Sequence, residues 1–217
     1  MSRWHQVDEY LERHLIAEDR DAAHVLAAQR EAGLPDIALS PVEARLLQVL
    51  ARSIGARTIV EFGTLGGFST LHLARALPAD GQLITIEREE RHAEVARASL
   101  DKAGVGHKVT IRIGTGISLI PTLADDAPVD MVFIDADKRS NVAYYEAAVA
   151  ISRPGALIVV DNVVRSGAIA DPGDTEEDTA GARAVIERAA QDPRVDATVI
   201  QTVGRKGHDG MLIATVL

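Results

Sequence analysis

A chain of 217 residues, 47% of them hydrophobic, has the length of one globular domain with some extra elements and can bury a sizeable core. Its formal charge of -9 and the lack of any basic run argue against a non-specific polyanion binder, because nucleic-acid binding rests on clustered Lys and Arg. Cysteine is absent, which excludes disulfides and thiolate metal sites.

The first residues, Met1 to Tyr10, carry charge where a secretion signal needs an uninterrupted apolar run, and no later segment has the apolar length of a membrane span. The expectation is a soluble, cytoplasmic protein with neither nucleic acid nor membrane as partner. From Val7 to Ala32, the residues Val7, Tyr10, Leu11, Leu15, Val25 and Leu26 recur at helical spacing, predicting two short amphipathic helices broken near Glu18–Asp21. Periodicity does not say whether their apolar faces meet the main body or a second subunit. Gly33-Leu34-Pro35 closes this extension, residues 1–36 of what reads as a single domain whose core spans 40–217. Ser40-Pro41-Val42-Glu43 has the form of a capping box with proline at the first helical position, predicting a helix to about Ser53 with Gly55 as its stop.

Apolar runs at Thr58–Glu61, Gln82–Glu87, Lys108–Ile113, Val129–Asp135 and Ala156–Asp161 then alternate with helical stretches at 68–77, 90–103, 116–124 and 140–152. Such alternation predicts a parallel sheet covered on both faces. After a helix near Glu176–Gln191, Val195–Val203 and Met211–Leu217 are strand-like, separated by a polar segment ending in Asp209-Gly210 that is too short for a crossover. The fold class is therefore α/β, Rossmann-like: a seven-stranded, mostly parallel sheet with an antiparallel C-terminal hairpin. Val164–Thr175, rich in Gly, Asp and Pro, is the one long irregular piece, and loops of that length are often gates.

Ile59-Val60-Glu61-Phe62-Gly63-Thr64-Leu65-Gly66-Gly67-Phe68-Ser69 reads as a strand, a glycine-broken turn and a helix start, the way α/β proteins build a nucleotide pocket. The turn is not G-x-G-x-x-G, and Glu61 just ahead of it would repel a pyrophosphate. An adenosine that carries an amino acid and no phosphate, S-adenosylmethionine (SAM), fits better than NAD, although a short glycine motif does not exclude the latter.

In open α/β sheets the ligand site lies beyond the strands' carboxyl ends, and here those ends are acidic: Glu61, Glu87, Asp135 and Asp161, followed by Asn162. One such acid is more often a helix cap or a solvated carboxylate; four at one edge argue for a site. Glu87 lies where a ribose-binding acid is expected. Asp135, Asp161 and Asn162 offer only oxygen ligands, which select a hard ion such as Mg²⁺, with Mn²⁺ or Ca²⁺ possible. Lys138, three residues after Asp135, could stand on the rim of that site as a general base, or be a solvated surface lysine. The histidines lack ligand spacing, and His72 reads as a packing or surface residue. Trp4 and Tyr144-Tyr145 could line an aromatic substrate site, though packing is the better reading for each.

Glu61–Ser69, Val132-Phe133-Ile134-Asp135-Ala136-Asp137-Lys138, Arg153-Pro154-Gly155-Ala156-Leu157 and Asp161-Asn162-Val163 together resemble the signature of class I SAM-dependent O-methyltransferases of the cation-dependent catechol and caffeoyl-CoA type. The resemblance runs from Ser40 to Asp209-Gly210. It implies that Glu61, Gly63 and Ser69 hold the methionine portion of SAM, that Glu87 binds ribose, and that Gly116 and Asp135 also border the cofactor. It further implies Asp135, Asp161 and Asn162 as metal ligands, Lys138 as the base acting with Asp135, a small aromatic hydroxyl substrate, and a homodimer whose N-terminal helices help cover the site. Three places depart from the pattern: Leu65 where an aromatic is common in the animal catechol enzymes, the small or apolar Gly116-Ile117 beside adenine, and Val163–Gly167, which lacks a bulky aromatic.

Overall fold

The computed structural model describes residues 3–16 and 18–217. Among them seven strands form one sheet: β1 (Thr58–Phe62), β2 (Gln82–Glu87), β3 (Val109–Ile113), β4 (Val129–Ile134), β5 (Ser152–Asp161), β6 (Val195–Gly204) and β7 (Gly207–Val216), in the order β3-β2-β1-β4-β5-β7-β6. β1 to β5 are parallel, and β7 runs antiparallel to both β5 and β6. Because β1 sits between β2 and β4, the strand order reverses beside it, which opens a crevice at the carboxyl end of β1.

The helices are α1 (Arg3–Leu11), α2 (Arg20–Glu31), α3 (Pro41–Ser53), α4 (Phe68–Ala76), α5 (Glu90–Lys102), α6 (Gly116–Leu119), α7 (Asn141–Ile151) and α8 (Glu177–Ala190). Strands buried on both faces read as nearly continuous apolar runs, and alternate side chains here supply two cores. Val60, Phe62, Ile134 and Val160 pack with Tyr145 of α7 and Val185 of α8. Ile59, Leu83, Phe133 and Val159 pack on the other face with Leu47, Leu71 and Leu100 of α3, α4 and α5. No helix among the described residues is long and apolar enough to cross a membrane.

The expected break in the N-terminal helices is present. Asp19 caps α2 by accepting the Ala22 N–H at 3.0 Å, and Arg75 of α4 pairs with both Asp19 and Asp21. The apolar side of α2, with Ala22 and Val25, is thus buried against the main body. α1 is tied to the C-terminal hairpin, where Asp8 accepts the Arg205 N–H at 2.6 Å, and it leaves Trp4, Val7 and Tyr10 about half exposed. The capping box forms as read: Ser40 Oγ accepts from the Glu43 N–H at 3.3 Å and Glu43 Oε2 from the Ser40 N–H at 3.0 Å. Gly55 then ends the segment with φ +61°.

Several boundaries differ from expectation. The helix at 116–124 is one α-turn, α6, followed by a 3-10 stretch at Ile120–Asp126, because Pro121 cannot supply the N–H that would continue it. Lys108 belongs to a 3-10 turn, β4 stops at Ile134 rather than Asp135, and β5 begins at Ser152. The hairpin does not turn at Asp209-Gly210: Gly204 pairs with Gly207 around Arg205-Lys206, and the polar segment continues as β7. Val164–Thr175 holds a 3-10 stretch at Arg165–Ala170 and is anchored to α8. Arg183 of α8 donates to the carbonyls of Ala168 at 2.8 Å, Ile169 at 3.0 Å, Asp174 at 2.9 Å and Asp171.

Candidate active site

The glycine turn that follows β1 lies against the end of β4. Asp135 donates its N–H to the Phe62 carbonyl at 2.8 Å, and a Cβ on Gly63, whose φ is +100°, would stand 2.2 Å from the Asp135 carbonyl oxygen. Only glycine allows that approach. Gly67 opens α4 with φ +88°, while Leu65 adopts φ +49°, a conformation that costs a residue with a side chain roughly 1–2 kcal/mol. Glu87 holds the turn there. Its Oε2 accepts from the N–H groups of Leu65 at 2.7 Å and Thr64 at 3.2 Å, and its Oε1 from Glu89 at 2.9 Å. A carboxylate has about four acceptor positions, so Glu87, on the cavity wall, keeps capacity for a ligand hydroxyl.

Glu61 lies behind the turn, fully buried, on the face of β1 that meets α4. Its Oε1 accepts from Ser69 Oγ at 2.6 Å, and its Oε2 from Thr70 Oγ1 at 2.6 Å and Thr85 Oγ1 at 2.7 Å. Thr64 Oγ1 adds a contact to Thr85 Oγ1 at 2.6 Å. Burial pushes the Glu61 pKa up to about 7, opposed by the three hydroxyl bonds and reinforced by the charge of Asp135. Ser69 lines the cavity, so it stands between Glu61 and that cavity. Thr70 and Thr85 escaped the sequence reading. The available signal was Thr85 itself, a polar residue inside the apolar run Leu83–Ile86.

The pairing of Phe62 with Ile134 and of Ile134 with Val160 sets Gly63 and Asp135 just beyond β1 and β4, and Asp161 beside them at the end of β5. Lys138, only 6% exposed, donates from Nζ to Asp135 Oδ1 at 2.8 Å. A Cβ on Gly181 of α8 would stand 2.1 Å from the Lys138 carbonyl, and this close packing of α8 helps bury the lysine. Asp161 is 4% exposed, and burial together with the charge of Asp135 holds its carboxyl well above the usual carboxylate range, against the pull of the Lys138 ammonium. Asn162 has φ +56° and lines the cavity together with Asp135 and Lys138. Among the described residues no group of three or more His, Cys, Asp or Glu side chains could hold a metal ion; the expected set, Asp135, Asp161 and Asn162, has two carboxylates and one amide. All its donors are oxygens, and one ammonium stands against a half-buried and a buried carboxylate, which is the chemistry a hard divalent cation suits.

One cavity of about 940 Å³ joins these parts, with Ser69, Glu87 and Gly116 at one side and Asp135, Lys138 and Asn162 at the other. Pro35, Ile37 and Leu39, in the linker between α2 and α3, border it. Gln29 of α2 donates to the Pro35 carbonyl at 2.7 Å and packs on Gly66, so the N-terminal extension covers its own chain's cavity. Tyr144 both packs and lines: its ring stacks on Phe62 with centroids 4.6 Å apart, and its hydroxyl donates to Asp137 Oδ1 at 2.6 Å. A Cβ on Gly116 would come within 2.6 Å of that ring, which explains the glycine. Tyr145 lies in the core, and His72 is a packing residue, buried against Phe68 and bonded to Gln48 at 3.0 Å.

A mostly parallel sheet with a glycine turn at its switch point, and an acid closing the next strand over a shared cavity, is the arrangement of a Rossmann-like fold that binds an adenosine-containing cofactor. Residues 13–215 match the O-methyltransferase family model, and the chain belongs to that family, as a SAM-dependent O-methyltransferase. It is 47% identical to a catechol O-methyltransferase of Mycobacterium tuberculosis over 210 residues, 97% of this chain and 94% of that one. The O-methyltransferase TomG of Streptomyces achromogenes, involved in tomaymycin synthesis and solved in complex with SAM, is 46% identical with a TM-score of 0.94, over 99% of this chain and 97% of its own. An O-methyltransferase of Bacillus cereus solved with SAH is 41% identical with a TM-score of 0.96, over 99% and 98% of the two chains.

Proposed function

We propose that this chain methylates one hydroxyl of a catechol-like small molecule, a vicinal dihydroxy aromatic, with the help of a divalent cation. The observation that carries the reading is the half-buried Asp135, with Lys138 and Asn162, on the wall of the same cavity as Ser69 and Glu87, and the buried Asp161 next to Asn162 at the end of β5. The name catechol O-methyltransferase on relatives 47% and 43% identical supports it. Asp135, Asp161 and Asn162 would hold Mg²⁺ or another hard ion such as Mn²⁺ or Ca²⁺, which when bound would acidify an acceptor hydroxyl. SAM would supply the electrophilic methyl group.

The remaining work falls to the chain. Glu87 accepts a bond from a ribose hydroxyl, while Gly63 and Ser69, braced by Glu61, receive the methionine portion. Gly116 and Ile117 border the adenine, and Asp135 contacts both halves of the site. Lys138, whose Nζ lies 2.8 Å from Asp135 Oδ1, would act as the base in its neutral amine form, taking the hydroxyl proton and becoming the ammonium that Asp135 holds. The freed oxygen would take the methyl group, and S-adenosylhomocysteine would be left in the cofactor half of the cavity. Alignment of the two reactants in one cavity is worth about 7–11 kcal/mol of barrier, and here its rigidity comes from the ends of β1, β2, β4 and β5.

The unit of function in this reading is a single cytoplasmic catalytic domain whose N-terminal extension carries the interface of a homodimer. The exposed Trp4, Val7, Tyr10 and Leu15 support that interface. Methyl transfer to a panel of a vicinal diol, an isolated phenol and an aliphatic alcohol tests the substrate class. Turnover confined to the diol is expected, and equal rates on the isolated phenol would overturn it.

A further inference from the structure

Asp209 and Gly210 look like turn residues, yet they lie inside β7 and are engaged with the segment that follows Asn162. Asp209 Oδ1 accepts N–H bonds from Val164 at 3.1 Å, Arg165 at 3.0 Å and Gly210 at 2.9 Å, and the Gly210 carbonyl accepts from Val163 at 3.0 Å. A Cβ on Gly210 would stand 2.5 Å from Val164 Cγ2 and 2.6 Å from the Ile200 carbonyl, so glycine is what lets the segment lie this close. The segment is a strained one. Asn162 at φ +56°, Arg165 at +55° and Ser166 at +55° are all left-handed, a conformation that persists in residues with side chains only where the surroundings enforce it. Two residues of the strained stretch face the site: Asn162 and Arg165 line the main cavity, and Arg165 also lines a neighbouring one of about 600 Å³, where its guanidinium lies 3.3 Å from Asp178.

We propose that Asp209 is a positioning residue of the cation and acceptor site, whose single oxygen, by holding the amides of residues 164 and 165, fixes Asn162 and Arg165 on the cavity wall. The inference rests on the cation-dependent reading above and adds a residue that touches neither cation nor acceptor. A carboxylate suits the task because acceptors with charge make the stronger bonds to backbone N–H groups. Its role is geometric, however, so an amide oxygen at the same place serves nearly as well.

The test compares the wild-type chain with Asp209→Ala and Asp209→Asn by Mn²⁺ binding followed by EPR in the presence of S-adenosylhomocysteine, by calorimetric binding of S-adenosylhomocysteine, and by kcat and KM for catechol with Mg²⁺. Asp209→Ala is expected to weaken Mn²⁺ binding about tenfold or more, the usual cost of losing a group that orients a ligand, and to raise the catechol KM while S-adenosylhomocysteine binds as before. Asp209→Asn, which keeps the acceptor oxygen, is expected to stay within about threefold of wild type in each measurement. A folded Asp209→Ala chain that binds Mn²⁺ like wild type overturns the proposal, as does Asp209→Asn proving as impaired as Asp209→Ala. Lack of Mn²⁺ binding by the wild-type chain itself overturns the cation reading and this inference with it, so the wild-type arm separates the two failures. If Asp209→Ala does not fold, Asp209→Glu takes its place: it keeps the charge but displaces the oxygen, and the same loss is expected.

Discussion

Replacing Glu61 with Gln asks whether the carboxylate beneath the glycine turn is kept at the expense of stability. It is fully buried, and burial lifts its pKa from an ordinary 4.5 to about 7 despite three hydroxyl donors. Between those two values the folded chain holds a proton that the unfolded chain has released. The group's contribution is therefore full below pH 4.5 and is lost as pH rises through 7. At about 1.4 kcal/mol per pH unit the whole span amounts to about 3 kcal/mol, of which about 2.5 falls between pH 5 and pH 8. Urea unfolding of wild type and Glu61→Gln at those two pH values reads it as a difference, in which titrations common to both chains cancel. Wild type is expected to lose about 2–3 kcal/mol relative to the variant on going from pH 5 to pH 8. A difference that stays constant with pH, or grows in favour of wild type, would refute the reasoning and mean that the hydroxyls hold the carboxylate ionised.

His72 carries the opposite sign. Burial, helped by the charge of Arg45, lowers its pKa to about 4, so wild type should lose up to about 3 kcal/mol relative to His72→Gln as pH falls from 6.5 to 4, measured by the same unfolding. Gly63→Ala drives a methyl group to 2.2 Å from the Asp135 carbonyl at a φ of +100°; a cost of about 3 kcal/mol or more and loss of S-adenosylhomocysteine binding are expected, and an unchanged Tm would contradict this. Arg183→Ala frees the carbonyls of Ala168, Ile169, Asp171 and Asp174; we expect about 2 kcal/mol of destabilisation and faster amide exchange in residues 168–174, with β1 and β4 unaffected.

Much of the fold is legible because its signals are local. The capping box at Ser40 needs only four residues, and strands buried on both faces announce themselves as apolar runs such as Met131–Ile134. The acids at the strand ends are legible for a related reason, since the sheet's parallel order brings the ends of β1, β2, β4 and β5 to one edge. What escaped depends on partners distant in sequence. Asp209-Gly210 carries the composition of a hairpin turn, yet the turn forms at Arg205-Lys206 because Asp209 holds amides 44 and 45 residues away and Gly210 makes room for Val164. Glu61 reads as a group facing a ligand; the threonines that enclose it, Thr70 and Thr85, come from α4 and β2, and no spacing rule joins them. Arg183 looks like any surface arginine on an amphipathic helix until the carbonyls of residues 168–174 fold around it.

The central claim is that Asp135, Asp161 and Asn162 hold a cation on which methylation of a catechol depends. Its most direct test is methyl transfer from SAM to catechol by wild type before and after exhaustive treatment with EDTA, then after resupply of Mg²⁺, with Asp161→Ala carried through the same steps. The account predicts that wild-type turnover falls to background with the chelator and returns with Mg²⁺, and that Asp161→Ala stays at background throughout. Undiminished turnover in EDTA, or an Asp161→Ala chain that Mg²⁺ still activates, would contradict it.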